Sequence, residues 1–420
     1  MLKFDERKIK QINRMRDYQY SSSGDSMRHT YNTKITGAIS GHFLIDLYTP
    51  ILPVILPLLI VNLGLSYFLA GLVVTVFNVV SSVTQPFIGL YGDRTGKWVS
   101  VPFCVLIGSV GISLSVLANN YLIVLFLVGG AAVGHALFHP SAMALVHKLS
   151  PPAKKGLYNS IFTTSGSISY SLGPMIAGFF ITFGGLPSVA WMMVPGIVGA
   201  AWIYRNDRRT GTVEPIKKEP VEKKQVHGKY WWIPAGLVVT VCALRAWAYV
   251  GVITYLPTLL LLWNQGIDTF TVSVIITAML FTGVFGQVAG GYLSDRFGRK
   301  KVLVLGFLCA IPCFCLIFLT TGWTMYAGIM LYAFFASFCY VASVTMTQDL
   351  LPGSVGFASG LTLGLSMGIG GVGAALIGWV ADVMGSLPDA MFLLIIPTIL
   401  CPILALFIKY SDKPAAVAEE

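Results

Sequence analysis

Twelve stretches of this 420-residue chain are almost free of charge and strongly apolar: 35–62, 66–91, 99–118, 121–147, 156–183, 187–204, 230–262, 271–293, 301–320, 324–348, 355–383 and 387–409. Most approach or exceed the roughly 20 apolar residues that a helix needs to cross a bilayer. Their apolar positions run continuously and do not alternate in twos, so the tilted strands of about 10 residues that build a membrane barrel are excluded. Many of the stretches contain Gly and several contain Pro, which membrane helices tolerate because neighbouring helices can satisfy the freed backbone groups. The pattern therefore predicts an all-α integral membrane protein with 12 transmembrane helices. Residues 1–34 are polar and charged, and the first apolar segment is too long for the core of a cleavable signal. It is expected to insert and stay.

Composition agrees. The chain is 55% hydrophobic, 12% aromatic and 11% charged, where a soluble domain averages about 25% charged. The net charge of +10 does not point to nucleic acid once its placement is considered. Of the 28 Lys and Arg, all but Arg245 gather in residues 1–34, after segments 2, 4 and 8, in 205–229 and at the C-terminal end. The alternate loops "NLGLS", "NN", "GGLPS", "NQGID", "TGW" and "GSLPD" carry none. Basic residues stay on the cytoplasmic side during insertion, so both termini and the 205–229 loop are expected there, in a multi-pass protein of the inner or plasma membrane. The seven cysteines all lie in apolar segments and read as packing residues without a disulfide framework.

The polar stretch 205–229 divides the chain into two six-helix units, giving an N-terminal tail (1–34), a first bundle (35–204), a linker (205–229), a second bundle (230–409) and a C-terminal tail (410–420). The units repeat. "GLYGDRTGKWV" (89–99) returns as "GYLSDRFGRKK" (291–301), with Gly89, Asp93, Arg94 and Gly96 matching Gly291, Asp295, Arg296 and Gly298 at an offset of 202. "LSPPAKKGLYNS" after segment 4 returns as "LLPGSVGFASG" after segment 10, and "DLYTPILP" in segment 1 as "VITYLPTL" in segment 7. A duplicated bundle implies a pseudo-two-fold axis along the membrane normal and a cavity between the units near the midplane.

The repeated phrase, with Arg299 closing its second copy, resembles the signature of the major facilitator superfamily, and the likeness extends over nearly the whole chain. The resemblance implies the major facilitator fold, two pseudo-symmetric bundles, alternating access and a monomer, with neither a cofactor nor a resident metal. It also implies that the phrase gates the cytoplasmic side: its glycines allow close approach, Asp93 and Asp295 accept backbone N–H groups at a helix start, and Arg94 and Arg296 pair with carboxylates or helix carbonyls across the interface, Asp349 being a partner for Arg94. "GHFLIDLYTPILPVILPLL" (41–59), "GHALFHPSAMALVHKLS" (134–150) and "SGSISYSLGPMIAG" (165–178) are similar to the fosmidomycin resistance protein group, a set of proton-driven drug exporters. Within the last stretch, Gly173, Pro174 and Gly178 resemble an exporter motif, with Ser169 and Ala177 standing where two of its glycines would be.

Ionisable residues deep in a membrane segment are costly and default to function. Asp46 lies in segment 1 with His42 one turn before it, on the same face. The pair is predicted to carry the proton, with a structural pair as the alternative. Arg245 in segment 7 remains charged at any useful pH. It is expected to bind an anionic substrate group or to counter Asp46, the alternative being snorkelling to the cytoplasmic face. His135 and His139, one turn apart in segment 4, are candidates for substrate or proton binding. Tyr249 and Tyr255, with Tyr48, Tyr170 and Trp247, are candidates for aromatic cavity walls. The i, i+4 pairs also have metal-ligand spacing, which leaves divalent-cation transport open. Asp382 reads as a latch on the far side or a boundary residue. No nucleophile–base pair and no phosphate-binding Gly-rich loop stands out, so an enzyme and an ATP-driven pump are not expected. The expected function is a secondary transporter that exports a small organic solute or drug, with an anion as one candidate class, in exchange for protons. The alternative is proton-coupled uptake of a nutrient anion or divalent metal.

Overall fold

The computed structural model describes residues 23–151, 154–209, 232–263, 266–351 and 358–410 with 359 excepted, and side chains in all of these except 23–31, 93, 209 and 363. The predicted 205–229 linker and the two predicted tails therefore fall largely outside the described residues.

Among the described residues the apolar segments are mostly helical, with a break in segment 1. Segment 1 is α1 (Ser23–Asp46) and α2 (Ile51–Leu63). Segments 2 to 5 are α3 (Tyr67–Thr95), α4 (Val101–Ser115), α5 (Tyr121–Leu149) and α6 (Lys155–Gly184). Segment 6 begins as a 3-10 helix (Leu186–Met192) and continues as α7 (Met193–Arg209). The second half comprises α8 (Trp232–Thr258) with a π-helical end (Leu259–Trp263), α9 (Thr269–Phe297), α10 (Arg299–Leu319) and α11 (Trp323–Leu350). It closes with a π segment (Gly360–Leu365) leading into α12 (Ser366–Met384), then α13 (Leu387–Phe392) and α14 (Ile395–Phe407). Among the described residues, eleven helical spans are long and apolar enough to cross a membrane, and Val101–Ser115 is a shorter twelfth.

Local chemistry sets the ends. Ser66, Asn120 and Asp268 cap α3, α5 and α9 by accepting N–H bonds from Leu69, Leu122 and Thr271. Gly96 and Gly298, with φ of 70° and 100°, stop α3 and α9 at the end of the duplicated phrase. These helices thus run past their apolar stretches, and Asp93 and Asp295 lie in the last turn of a helix, not at a helix start as expected.

Among the described residues, α3 meets α12, α6 meets α9 and α2 meets α8 between the halves, and the first two of these crossings are close. The α3–α12 crossing is close because it is glycine-lined: a Cβ on Gly71 would stand 2.8 Å from the Ala374 carbonyl, and one on Gly378 2.3 Å from the Tyr67 carbonyl. At the α6–α9 crossing, a Cβ on Gly178 would stand 2.3 Å from the Ser273 hydroxyl, and Met175 N–H donates to the Thr277 hydroxyl at 3.1 Å. Gly178 of the exporter-like motif therefore sits at an interface between halves, while Gly173 packs against the Leu47 carbonyl of its own half.

The hydrophobic core shows where the halves meet. One large cluster spans both, joining Leu52, Ile55, Val73 and Phe77 to Val252, Leu256, Ile276 and Met279. Towards the basic end it divides. Ala38, Ile45, Val101, Phe138, Phe162 and Ile203 form a cluster within the first half, and Val238, Val241, Leu303, Phe307, Met346 and Cys401 form another within the second. The molecule is sealed at the end that carries Tyr67 and Asp382 and parted at the end that carries the duplicated phrase. Asp382 accepts the backbone N–H groups of Tyr67 and Phe68, both at 2.8 Å, and Tyr255 Oη donates to the Tyr67 and Ala374 carbonyls at 2.8 and 3.0 Å. At the parted end, Arg94 and Arg296 are exposed, and Asp349 pairs with Arg299 and Tyr410 of its own half. The expected Asp349–Arg94 pair is absent because the surfaces that would bring it together stand apart. The Asp93 side chain lies outside the described residues.

Candidate functional site

The chain breaks at Leu47–Pro50, between α1 and α2. Pro50 has no N–H to give to a continuing helix, and α1 ends on Asp46. The carbonyls of a helix end favour positive charge nearby, so this backbone prepares a cation-friendly place in the middle of segment 1.

Three histidines fill it. His42 Nε2 is 3.1 Å from Asp46 Oδ2, and His135 Nε2 and His139 Nε2 are 3.2 and 3.5 Å from Asp46 Oδ1. The Nε2 atoms of His135 and His139 are 3.2 Å apart. His42 Nδ1 donates to the Phe162 carbonyl at 2.7 Å, and the ring is stacked 4.1 Å from Phe162 and 5.8 Å from Phe138. Phe77 meets His135 edge-on at 5.4 Å. Side-chain exposure rises from 8% at His42 through 14% at Asp46 and 16% at His135 to 26% at His139, so the cluster is lined by protein yet open on one side. Residues read from the sequence as a proton pair and as separate substrate histidines are one group, supplied by α1 and α5 and steadied by the α6 backbone.

Two contributors went unread. Gly166 keeps the place clear, since a Cβ there would stand 2.5 Å from His42 Nε2 and 2.6 Å from Asp46 Oδ2. It lies within "SGSISYSLGPMIAG", where its small size was the only signal. Phe162 acts through its carbonyl, which no side-chain pattern reports.

Arg245 stands apart from this cluster. It is 7% exposed, donates to the Ala336 carbonyl at 3.4 Å, and lies 4.6 Å over Tyr340 and 5.8 Å from Tyr249. Its Nε is buried without a partner. Among the described residues no carboxylate pairs with it, so the expected counter-ion relation to Asp46 is not observed in this conformation, and the buried head is not snorkelling. Tyr249 and Tyr170 face each other across a small cavity between the halves, lined also by Thr49, Phe77, Asn78, Ile253, Thr254 and Met367. Its volume of about 50 Å³ holds one or two waters. Tyr48 and Tyr255 do not line this cavity. Their hydroxyls are committed to backbone carbonyls, Tyr48 to Met192 at 2.7 Å and Tyr255 as above.

The sequence profile of the Major Facilitator Superfamily matches residues 38–263 and 260–420. The chain belongs to this superfamily. It is therefore a multi-pass membrane transporter, as its two bundles and central cavity already suggested. Among its relatives, the fosmidomycin resistance protein of Escherichia coli (strain K12) is 28% identical over 359 residues, 83% of this chain and 86% of that protein. Quinolone resistance protein NorA of Staphylococcus aureus (strain MRSA252) is 26% identical over 268 residues, 60% of this chain and 63% of that one. Among solved structures, a bacterial homologue of the human lysosomal transporter Spinster, in an inward-facing and occupied conformation, superposes with a TM-score of 0.75 at 18% identity, covering 89% of this chain and 96% of that one.

Proposed function

We propose that this transporter exports a small organic solute, anionic in at least one group, in exchange for protons. The observation that carries the reading is Asp46, a carboxylate inside an apolar segment with three histidines on it, next to Phe77, which lines a cavity between the two bundles and meets His135. A carboxylate in that position exchanges protons with whichever side the bundles open to, and the histidines hold it ionised or relay its proton. Asp46 and His42 carry the proton in this reading. His135 and His139 share it and face the solute. Arg245, with a buried unpartnered Nε and Tyr249 one turn on, meets the anionic group. Tyr255 is withdrawn from the binding set, because its hydroxyl is spent on the seal between halves.

Efflux is supported by the names of the fosmidomycin and quinolone resistance relatives. Charge supports the orientation: the parted end carries the basic loops and is cytoplasmic, so this conformation faces inward. Rocking the bundles would close that end and bring the exposed Arg94 and Arg296 to the seam, which gives the duplicated phrase its gating role. The protein works as a monomer in the inner or plasma membrane.

The test is transport into inside-out vesicles. With a proton gradient imposed, labelled fosmidomycin should accumulate in wild type and not in Asp46→Asn. Accumulation only in vesicles of the opposite orientation would make the protein a symporter and overturn the export reading. Equal accumulation by Asp46→Asn would remove Asp46 from coupling.

A further inference from the structure

We propose that His42, Asp46 and His139 form a binding site for one divalent transition-metal ion of the zinc and cobalt class, with His135 within reach as a fourth ligand. The proposal uses the same cluster as the export reading, and its test is chosen so that the two can fail separately.

The ligand set is the first argument. Neutral imidazole nitrogens with one carboxylate oxygen are what such ions select over hard magnesium and calcium. One ligand atom from each of His42, Asp46 and His139 lies within 4.8 Å of the others. Four-coordinate zinc, with bonds of about 2.0–2.1 Å, places its ligand atoms roughly 3.3 Å apart. The contacts of 3.1 Å (His42 Nε2 to Asp46 Oδ2), 3.5 Å (His139 Nε2 to Asp46 Oδ1) and 3.2 Å (between the His135 and His139 Nε2 atoms) are of that size. The first two reach different carboxylate oxygens, so seating one ion draws the set in from its 4.8 Å span.

The surrounding shell is the second argument. A metal-ligating histidine usually gives its other ring N–H to a carbonyl or carboxylate, which fixes the tautomer. The Phe162 carbonyl can only accept, so His42 Nδ1 carries a proton and donates at 2.7 Å. In the neutral ring, the lone pair is then on Nε2 and points at a carboxylate oxygen 3.1 Å away. Two lone pairs at that distance repel unless something positive lies between them. A proton is one candidate, and a metal ion bridging nitrogen and oxygen is the other. Stacking between Phe138 and Phe162 holds the ring in this orientation whichever is present.

The third argument is space. Gly166 faces the edge formed by His42 Nε2 and Asp46 Oδ2 so closely that any side chain would occupy it. His139 is the most exposed member of the group, at 26%.

The experiment uses the full-length protein in detergent micelles, stripped of metal and titrated with Co²⁺ alone. Wild type should show the visible absorption of low-symmetry, few-coordinate Co²⁺, saturate at one equivalent, and lose the band when an equivalent of Zn²⁺ is added. His139→Gln and Asp46→Asn should each weaken binding at least tenfold. Gly166→Ala, which keeps every ligand, should also weaken it, and His147→Gln, an exposed histidine on the same helix, should not. X-ray absorption on the zinc-loaded wild type should find two or three imidazoles, a readout that needs no variant to fold. Absence of saturable binding at stoichiometric metal, a zinc shell without imidazole, or equal binding by well-behaved His139→Gln and Asp46→Asn proteins each overturns the proposal. Export lost in Asp46→Asn without any metal binding would leave the export reading standing and remove this one. Metal binding without proton-driven export would do the reverse.

Discussion

Asp382 is the residue whose removal should move the conformational equilibrium most for the smallest change in shape. It stands near the end of α12 in the second half and accepts two backbone N–H groups at the start of α3 in the first, each at 2.8 Å. This is a helix cap supplied across the seam. The α3 cap residue Ser66 takes only the Leu69 N–H, at 3.3 Å, so the orphan donors of Tyr67 and Phe68 depend on Asp382 while this end is sealed. Capping bonds are worth about 1 kcal/mol, and a carboxylate at a helix N-terminus adds roughly 0.3–1 kcal/mol at an exposed site. Asp382 is exposed, so a total near 1.5 kcal/mol is appropriate. Asn keeps one acceptor and loses the charge, which leaves a deficit of about 1 kcal/mol. Since 1.4 kcal/mol is a factor of ten in an equilibrium, Asp382→Asn should raise the population open at the Tyr67 end about fivefold. The deficit belongs to the sealed state alone, because the bonds cross between the halves. A cysteine at position 254, on the wall of the cavity, reports that population. In a background lacking the seven native cysteines, its labelling by a membrane-impermeant maleimide from the Tyr67 side should speed up about fivefold in Asp382→Asn. A rate unchanged within error, in a protein that still binds in the membrane and elutes as a single species, would refute the reasoning that this cap holds the seal.

Other substitutions separate local stability from the conformational equilibrium. Asp268 caps α9 within its own half through Thr271, whose hydroxyl and N–H hold its carboxyl below the usual carboxylate range. Asp268→Ala should cost about 1 kcal/mol by thermal unfolding in detergent without changing labelling at position 254. That contribution is present above the ordinary carboxylate pKa and is lost as pH falls through the lowered one, so the variant and wild type should converge in acid. Gly378→Val should block the sealed state, since the side chain would meet the Tyr255 hydroxyl and the Tyr67 carbonyl, and should abolish transport while leaving insertion intact. Arg245→Gln should weaken affinity for an anionic solute at least tenfold, and unchanged affinity would remove Arg245 from the binding set.

The twelve segments were legible because bilayer length and charge placement leave few alternatives, and the repeat was legible because glycine and charged residues recur at one offset. What the sequence hid is mostly backbone. Asp46 and His42 were readable as neighbours because four residues make one helical turn. Their junction with His135 and His139 was not, because it depends on how α1 packs against α5. Tyr48 and Tyr255 look like cavity aromatics by composition, and only the fold shows that each hydroxyl is spent on a carbonyl. Asp349 was matched to Arg94, and this conformation places it on Arg299 and Tyr410 instead. An ion pair at a seam depends on which end is open, and in this conformation Arg299 on the same half is the one within reach.

The duplication supplies a frame, and the chemistry is added to one copy at a time. At the offset of 207 that aligns Tyr48-x-Pro50 with Tyr255-x-Pro257, Asp46 corresponds to Ile253 and Arg245 to Ala38. The aligned prolines also act differently. Pro50 follows a break in segment 1 that ends α1 on Asp46, whereas Pro257 is carried inside α8 and the irregularity comes a turn later, as the π segment Leu259–Trp263. The partners of Asp46 all come from the first half, α1 and α5, and the contacts of Arg245 described here all come from the second, α8 and α11. Rigid rocking of one bundle against the other therefore leaves both groups intact. No ion pair between Asp46 and Arg245 has to break. In the proposed export reading, the cavity whose lining includes Tyr170 of the first half and Tyr249 of the second is the place where a solute would touch both halves at once.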